Sequence, residues 1–170
     1  MYRFLVIPTI VAILAGCSST SVEVVQVLKP SALPLSIDPA FEFRKVKTFL
    51  QDPANYQITT DRMINFERKR AEFGAVTANE RREREGNYYT FFWRASETAD
   101  ITVRFEYRQA NLGPYVMAKE STYPNARGSY ATRFQVTGAA YETEGAVTQW
   151  RALLIRDNRI VALTQSFQWN

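Results

Sequence analysis

The sequence predicts a mainly β fold. It reads as an antiparallel six-strand meander, shaped as a sandwich or partly open barrel, with an N-terminal strand and one or two short helices. Three observations carry this. From residue 87 onward apolar residues recur at every second position, the period of a strand with one buried face. Short polar stretches, several with Pro or Gly, punctuate that pattern as β connections do. Aromatics make up 14% of the 170 residues, within a composition that is 46% hydrophobic and 22% charged, as a folded domain requires.

Val22 to Leu28 is β-branched and short, and predicts a strand. Pro30, Pro34 and Pro39 make residues 29–40 an extended connection. Residues 41–51 are ambiguous, because Phe43, Val46 and Leu50 fit helical spacing. Asp52-Pro53-Ala54-Asn55 is a turn. Residues 61–73 lean towards helix, with Met63, Phe66 and Phe73 near one face and Gly74 as a stop, although Tyr56, Ile58, Ile64 and Phe66 share strand parity. Thr77 and Glu80 match a capping box, opening a polar surface helix that runs to Gly86.

The meander follows. Tyr89, Phe91, Trp93 and Ala95 share one parity, and so do Ile101, Val103, Phe105 and Tyr107. With Ser96–Asp100 as a loop, Ala95 faces Ile101, Trp93 faces Val103, Phe91 faces Phe105 and Tyr89 faces Tyr107. The other face then pairs Arg94 with Thr102, Phe92 with Arg104, Thr90 with Glu106 and Tyr88 with Arg108. A one-residue slip would bury charge, so the register is strongly specified. Turns are expected at 111–114 and 123–128, with strands over 115–122 and 130–137 and a loop at 138–145. Asp157-Asn158 suits a two-residue turn with positive φ, pairing Arg156 with Arg159, Leu154 with Val161, Ala152 with Leu163, Ile155 with Ile160 and Leu153 with Ala162. Both faces of that hairpin are apolar, so both are expected to be covered.

The first residues have a different character. Arg3 precedes an apolar run from Phe4 to Leu14, too short for a comfortable membrane span. Small residues and the single cysteine, Cys17, follow. This is the order of a secretory signal. Leu14-Ala15-Gly16-Cys17 resembles the lipobox of bacterial lipoproteins. The resemblance implies cleavage between Gly16 and Cys17, and acylation of Cys17 on its sulfur and new amino group. Several acyl chains make a near-permanent tether, whereas one binds only marginally. Ser18 resembles the outer-membrane-sorted kind. The organisation is then residues 1–16 as signal, 17–30 as lipidated cysteine, tether and first strand, 31–86 as a mixed segment, and 87–170 as the meander packed with 22–86.

There is no histidine, which excludes Ser-His-Asp and Cys-His catalysis and His-ligated zinc or haem. One cysteine excludes an intramolecular disulfide. No motif implies a cofactor or metal. The net charge of +4 comes with interspersed acids, so nucleic acid is not an expected partner. Tyr88, Phe92, Arg94, Arg104 and Arg108 form a candidate binding face, aromatic and cationic at once; the alternative is ordinary packing on a covered second face. Trp150, Trp169 and Gln165 are either core or a small groove. Glu97, Asp100, Glu106 and Glu120 are the carboxylates on or beside strands. These features lead to a tethered, non-catalytic binding or scaffold module for an envelope protein or glycan. The alternative is an envelope hydrolase using a carboxylate pair. Mass spectrometry of the membrane fraction should find acyl mass on Cys17 and detergent-dependent extraction, both lost in Cys17→Ser. A soluble, unacylated native chain would contradict the lipobox reading.

Overall fold

The computed structural model describes residues 23–55 and 59–169. The expected signal segment, the Gly16–Cys17 cleavage site and Val22 lie outside the described residues, as do Tyr56 and Ile58. The described chain is mainly β, built as one antiparallel six-stranded sheet that does not close, with three short helices.

Two long strands organise the sheet. β3 (Gly86–Gln109) and β4 (Met117–Thr137) are 24 and 21 residues long. They form one antiparallel hairpin, from Gly86 opposite Thr137 to Tyr107 opposite Met117. Laid straight at about 3.3 Å per residue, β3 would run about 80 Å. A compact chain of this length has a radius of gyration of only about 15 Å, so the hairpin must bend. The register shifts between Ala95 and Ile101. Opposite, Asn125 and Gly128 take φ of 50° and 98°. Such bulges bend a strand and increase its twist. Asp100 Oδ1 accepts the Asn125 amide at 2.7 Å across the bend.

The bend turns the apolar face of the hairpin on itself. The Tyr89 and Phe105 rings lie 4.6 Å apart, and Phe91 and Phe105 5.6 Å. Tyr89, Phe91, Trp93, Ala95, Ile101, Val103, Phe105 and Tyr107 are all buried in one core. The Trp93 indole N–H donates to Thr132 Oγ1 at 2.8 Å, so its burial leaves no unmet donor.

This corrects the expected meander. Residues 96–100 and 123–128 are bends within continuous strands and not chain reversals. Ala95 pairs with Gly128 and Phe41, and Ile101 with Tyr123, instead of with each other. A five-residue loop and a five-residue bend both leave odd positions on the same face, so parity alone does not separate them. Two expected turns thereby disappear, and the described strands number six in all, the N-terminal one included.

β2 (Phe41–Gln51) and β5 (Val147–Arg156) share one edge of β3 in tandem. β2 pairs along Gly86–Ala95 and β5 along Thr102–Gln109. The helical spacing seen in residues 41–51 is a bulge: the register shifts between Phe43 and Lys45, so Phe43 and Val46 both face inward, against Trp93 and Phe91. β6 (Arg159–Gln165) pairs with β5, and the short β1 (Val25–Val27) with β4 at Ala118–Glu120. Residues 34–38 form a strap on β6, with the Ser36 amide donating to the Ile160 carbonyl at 2.8 Å.

The β5–β6 turn is as expected, with Asp157 and Asn158 at φ 49° and 57°. Arg156 meets Arg159 and Ile155 meets Ile160, but a bulge then moves Leu154 opposite Ala162, Leu153 opposite Leu163 and Ala152 opposite Thr164. Both faces are covered. Leu154, Val161 and Ala162 join the main core, while Leu153, Ile155 and Ile160 pack with Leu33 of the N-terminal segment.

α1 (Arg62–Glu72) begins at Asp61, whose side chain accepts the Met63 and Ile64 amides. Gly74 follows at φ 82°. The capping box forms, and α2 (Ala78–Arg82) ends earlier than expected. Gly86 is the first residue of β3 and not a helix stop. α3 (Ala139–Glu144) occupies the expected loop at 138–145.

Gly86 sits at φ 140°, and a Cβ there would lie 2.2 Å from the Val136 carbonyl oxygen. Gly86→Ala is therefore expected to cost about 2–4 kcal/mol. Urea unfolding checks this, and an unchanged midpoint would mean that the close approach is not a constraint.

Candidate functional site

A cleft of about 670 Å³ lies between the helices and the outer face of the sheet. Its position follows from the strand parity. The inner positions of β3 point into the core, so Tyr88 and Thr90 point outward. β2 brings Phe49 beside Tyr88, and β4 brings Gln135 beside Tyr88 and Arg133 beside Thr90. α1 contributes Glu67, Arg70 and Ala71, Glu83 and Arg84 follow the α2 helix, and Lys119 and Val24, with Tyr89, Phe134 and Thr137 of the hairpin, complete the outline.

Hydrogen bonds hold this wall in place. The Tyr88 hydroxyl donates to the Arg84 carbonyl at 2.6 Å. The Arg84 guanidinium donates to the carbonyls of Ala71 and Phe73, at the C-terminal end of α1 where a cation is favoured. Gln51 Nε2 donates to Glu72 Oε1 at 2.7 Å, fixing α1 to β2. Arg70 pairs with Glu67 at 2.6 Å. Four cationic and two acidic side chains line the cleft. Lys119 Nζ donates to the Gln135 carbonyl, and burial holds its pKa below the usual value. Arg133 is exposed and makes no ion pair among the described residues. The cleft thus combines an aromatic wall, Phe49 and Tyr88, with available positive charge. That combination suits an anionic group carried on a ring or short apolar body.

The candidate face divides at the bend. Tyr88, Phe92 and Arg94 stay together on the outer face of the first half of β3. Lys47 Nζ lies 5.9 Å from the Phe92 ring centroid, and Arg94 sits opposite Glu42 and Ser129. Arg104 and Arg108 belong to the second half, and neither Phe92–Arg104 nor Tyr88–Arg108 pairs. Arg104 is buried. Its guanidinium meets Glu120 at 2.5 Å and Glu106 at 3.6 Å, and donates to the Ser31 carbonyl at 2.9 Å. Arg151 reaches Glu106 from the other side at 2.6 Å. Arg108 donates to Gln149 and, with Arg151, lies about 5 Å from the Trp169 ring. The N-terminal segment covers this half, so the alternative reading of ordinary packing on a covered face holds for Arg104.

Trp150 and Trp169 do not share a groove. Trp150 packs inward on Tyr89 and Phe91, while Trp169 is buried against the arginines of the outer face. Each carboxylate singled out from the sequence already has a partner, and Glu106 and Glu120 share one. Glu106 and Glu120 hold Arg104, Glu97 accepts from Arg156, and Asp100 binds the Asn125 amide. Among the described residues no group of three or more His, Cys, Asp or Glu is placed to hold a metal ion, and no helix is long and apolar enough to cross a membrane.

Sequence reasoning did not find Phe49, Glu67, Arg70, Arg84, Lys119 or Arg133 as partners of Tyr88. The parity of 130–137 did mark Arg133 and Gln135 as outward. What it lacked was the strand pairing that sets them beside Tyr88. Comparison with protein-family models, with curated proteins and with solved structures finds no match to this chain.

Two outcomes follow from the site's energetics. Arg104→Met strips a buried cation from Glu106 and Glu120 and is expected to cost about 3 kcal/mol; denaturant unfolding measures it. Burial also pushes the phenols of Tyr88, Tyr89, Tyr107, Tyr123 and Tyr141 above their ordinary 10. The folded chain then keeps protons that the unfolded chain releases, so this stability is complete below about pH 10 and is lost as pH rises through the raised values. Lys119, with its lowered pKa, acts in the opposite sense below 10.5, but one amine opposes five phenols. Stability should therefore fall above pH 10, and less steeply in Tyr89→Phe than in the native chain.

Proposed function

We propose that this chain is a membrane-anchored envelope lipoprotein, tethered through Cys17, whose β-domain is a non-catalytic binding module. The binding site is the cleft under α1, and the ligand is an anionic group of an envelope glycan or of another envelope protein. The observation that carries this reading is the cleft itself. It has the volume of a small-ligand site, an aromatic wall, and two cations, Lys119 and Arg133, without a carboxylate partner among the described residues. The lipobox resemblance supplies the compartment, and with it the class of partner.

Glu97, Asp100, Glu106 and Glu120 are each held by an arginine or a backbone amide, and the one pair that converges, Glu106 and Glu120, closes on the buried Arg104; this favours binding over hydrolysis, since a glycosidase needs two carboxylates aimed at one bond. Export to the envelope also removes nucleic acid from the partners that positive charge would otherwise suggest.

Titration calorimetry with carboxylate-bearing envelope glycan fragments, and with acidic peptides as a second series, tests the site. The expected result is saturable binding by one series, weakened about tenfold or more by Arg133→Ala, in keeping with the worth of a hydrogen bond to a charged group. Binding that is indifferent to Arg133→Ala and to Tyr88→Ala would sink the assignment of this cleft.

A further inference from the structure

The inner side of α1 walls the cleft, but its outer side has no partner among the described residues. Arg62, Phe66 and Lys69 of α1 and Phe73, its C-terminal cap residue, recur at spacings of four, three and four, which places them on one stripe. All four are exposed, Phe66 at 60% and Phe73 at 84%. Met63 and Val76 extend the apolar surface, at 57% and 79% exposed. The helix's two acids are held off the stripe. Glu67 is 13% exposed and paired with Arg70, and Glu72 binds Gln51 of the sheet. The outward stripe therefore carries aromatic side chains and only positive charge. Water-facing aromatics interleaved with cations, on a helix of low overall hydrophobicity, are the pattern of an element lying in a bilayer interface.

The tether agrees with this geometry. Val24 borders the same cleft as Arg70 and Ala71 of α1. From Cys17 to Val24 is seven residues, which span at most about 25 Å. An acyl group on Cys17 would keep the bilayer within that distance of Val24, on the rim of the cleft that α1 walls.

We propose that the Arg62–Phe66–Lys69–Phe73 stripe of α1 seats the domain on the surface of an anionic bilayer, as a second, reversible contact beside the acyl anchor. The proposal rests on the lipoprotein reading for its tether but has its own test. In the seated orientation α1 lies against the headgroups. The Asp157-Asn158 turn is remote from α1, because β2 runs about 33 Å from its α1 end to Phe41, whose ring packs under Arg156 beside that turn.

The acylated full chain is labelled with a polarity-sensitive fluorophore at Phe73→Cys or at Asn158→Cys, Cys17 being blocked by its own acylation. It is reconstituted in phosphatidylcholine vesicles with or without phosphatidylglycerol. The expected result is a blue shift at position 73 with phosphatidylglycerol, quenched by nitroxide-bearing lipid, and no shift at position 158. Each basic side chain near an anionic surface is worth about fivefold in affinity. The seated fraction should thus fall about thirtyfold in its equilibrium constant in Arg62→Gln, Lys69→Gln, with the unfolding midpoint unchanged. Equal responses at 73 and 158, or none at 73, overturn the proposal, as does a shift at 73 that follows protein concentration without lipid and so reports a second copy. Acyl mass on Cys17 in the same samples separates this failure from failure of the lipoprotein reading. With Cys17 unacylated, the same label at Phe73→Cys in a Cys17→Ser chain decides the stripe alone.

Discussion

A 24-residue strand cannot lie straight inside a domain of this size, and the way β3 is bent organises most of what surrounds it. The bend at Ser96–Asp100, with its partner at Pro124–Gly128, turns one apolar strand face into both walls of the core. Phe91 and Phe105 belong to the same strand and still touch. The bend also divides one edge of β3 between β2 and β5. The two outer faces of the hairpin thereby come to lie in different surroundings.

Those surroundings explain why one sequence pattern serves two purposes. On the second half, Arg104, Glu106, Glu120 and Arg151 form an ion-pair network beneath the N-terminal segment. Leaving any one buried charge alone would be costly, so the network ties the residue 31 region to the sheet. On the first half, Tyr88, Phe92 and Arg94 have no such lid. α1 stands over only part of that face, fastened by Gln51–Glu72 and by Arg84, and a cleft remains between. The same helix then turns a second surface outward. The proposed ligand site and the proposed membrane seat are thus two sides of one short helix.

Much of this was legible along the chain. The alternation through residues 89–107 names the core side chains correctly. Asp157-Asn158 gives its turn and Thr77–Glu80 its capping box. Phe43, Val46 and Leu50 were misleading, because a bulge reproduces a helical step within a strand. Residues 123–128 misled in a related way. Pro, Asn and Gly relieve backbone strain at a bulge as well as at a reversal, so their presence marks a departure from regular strand without saying which departure. Of the candidate site, Tyr88 was found and its neighbours were not, since they arrive from α1, β2 and β4.

The sequence by itself determined the alternation that sorts inward from outward residues, the absence of histidine chemistry, and the lipobox resemblance that bears on compartment. These depend on residue identity and on spacing within one segment. Tertiary structure decided whether a polar interruption reverses the chain or bends it, and hence which segments become neighbours. It also decided that Arg104 is buried while Arg133 is exposed, although both alternate with apolar residues in the same way. The reason is that burial depends on what covers a face, and the cover comes from segments far away in the chain.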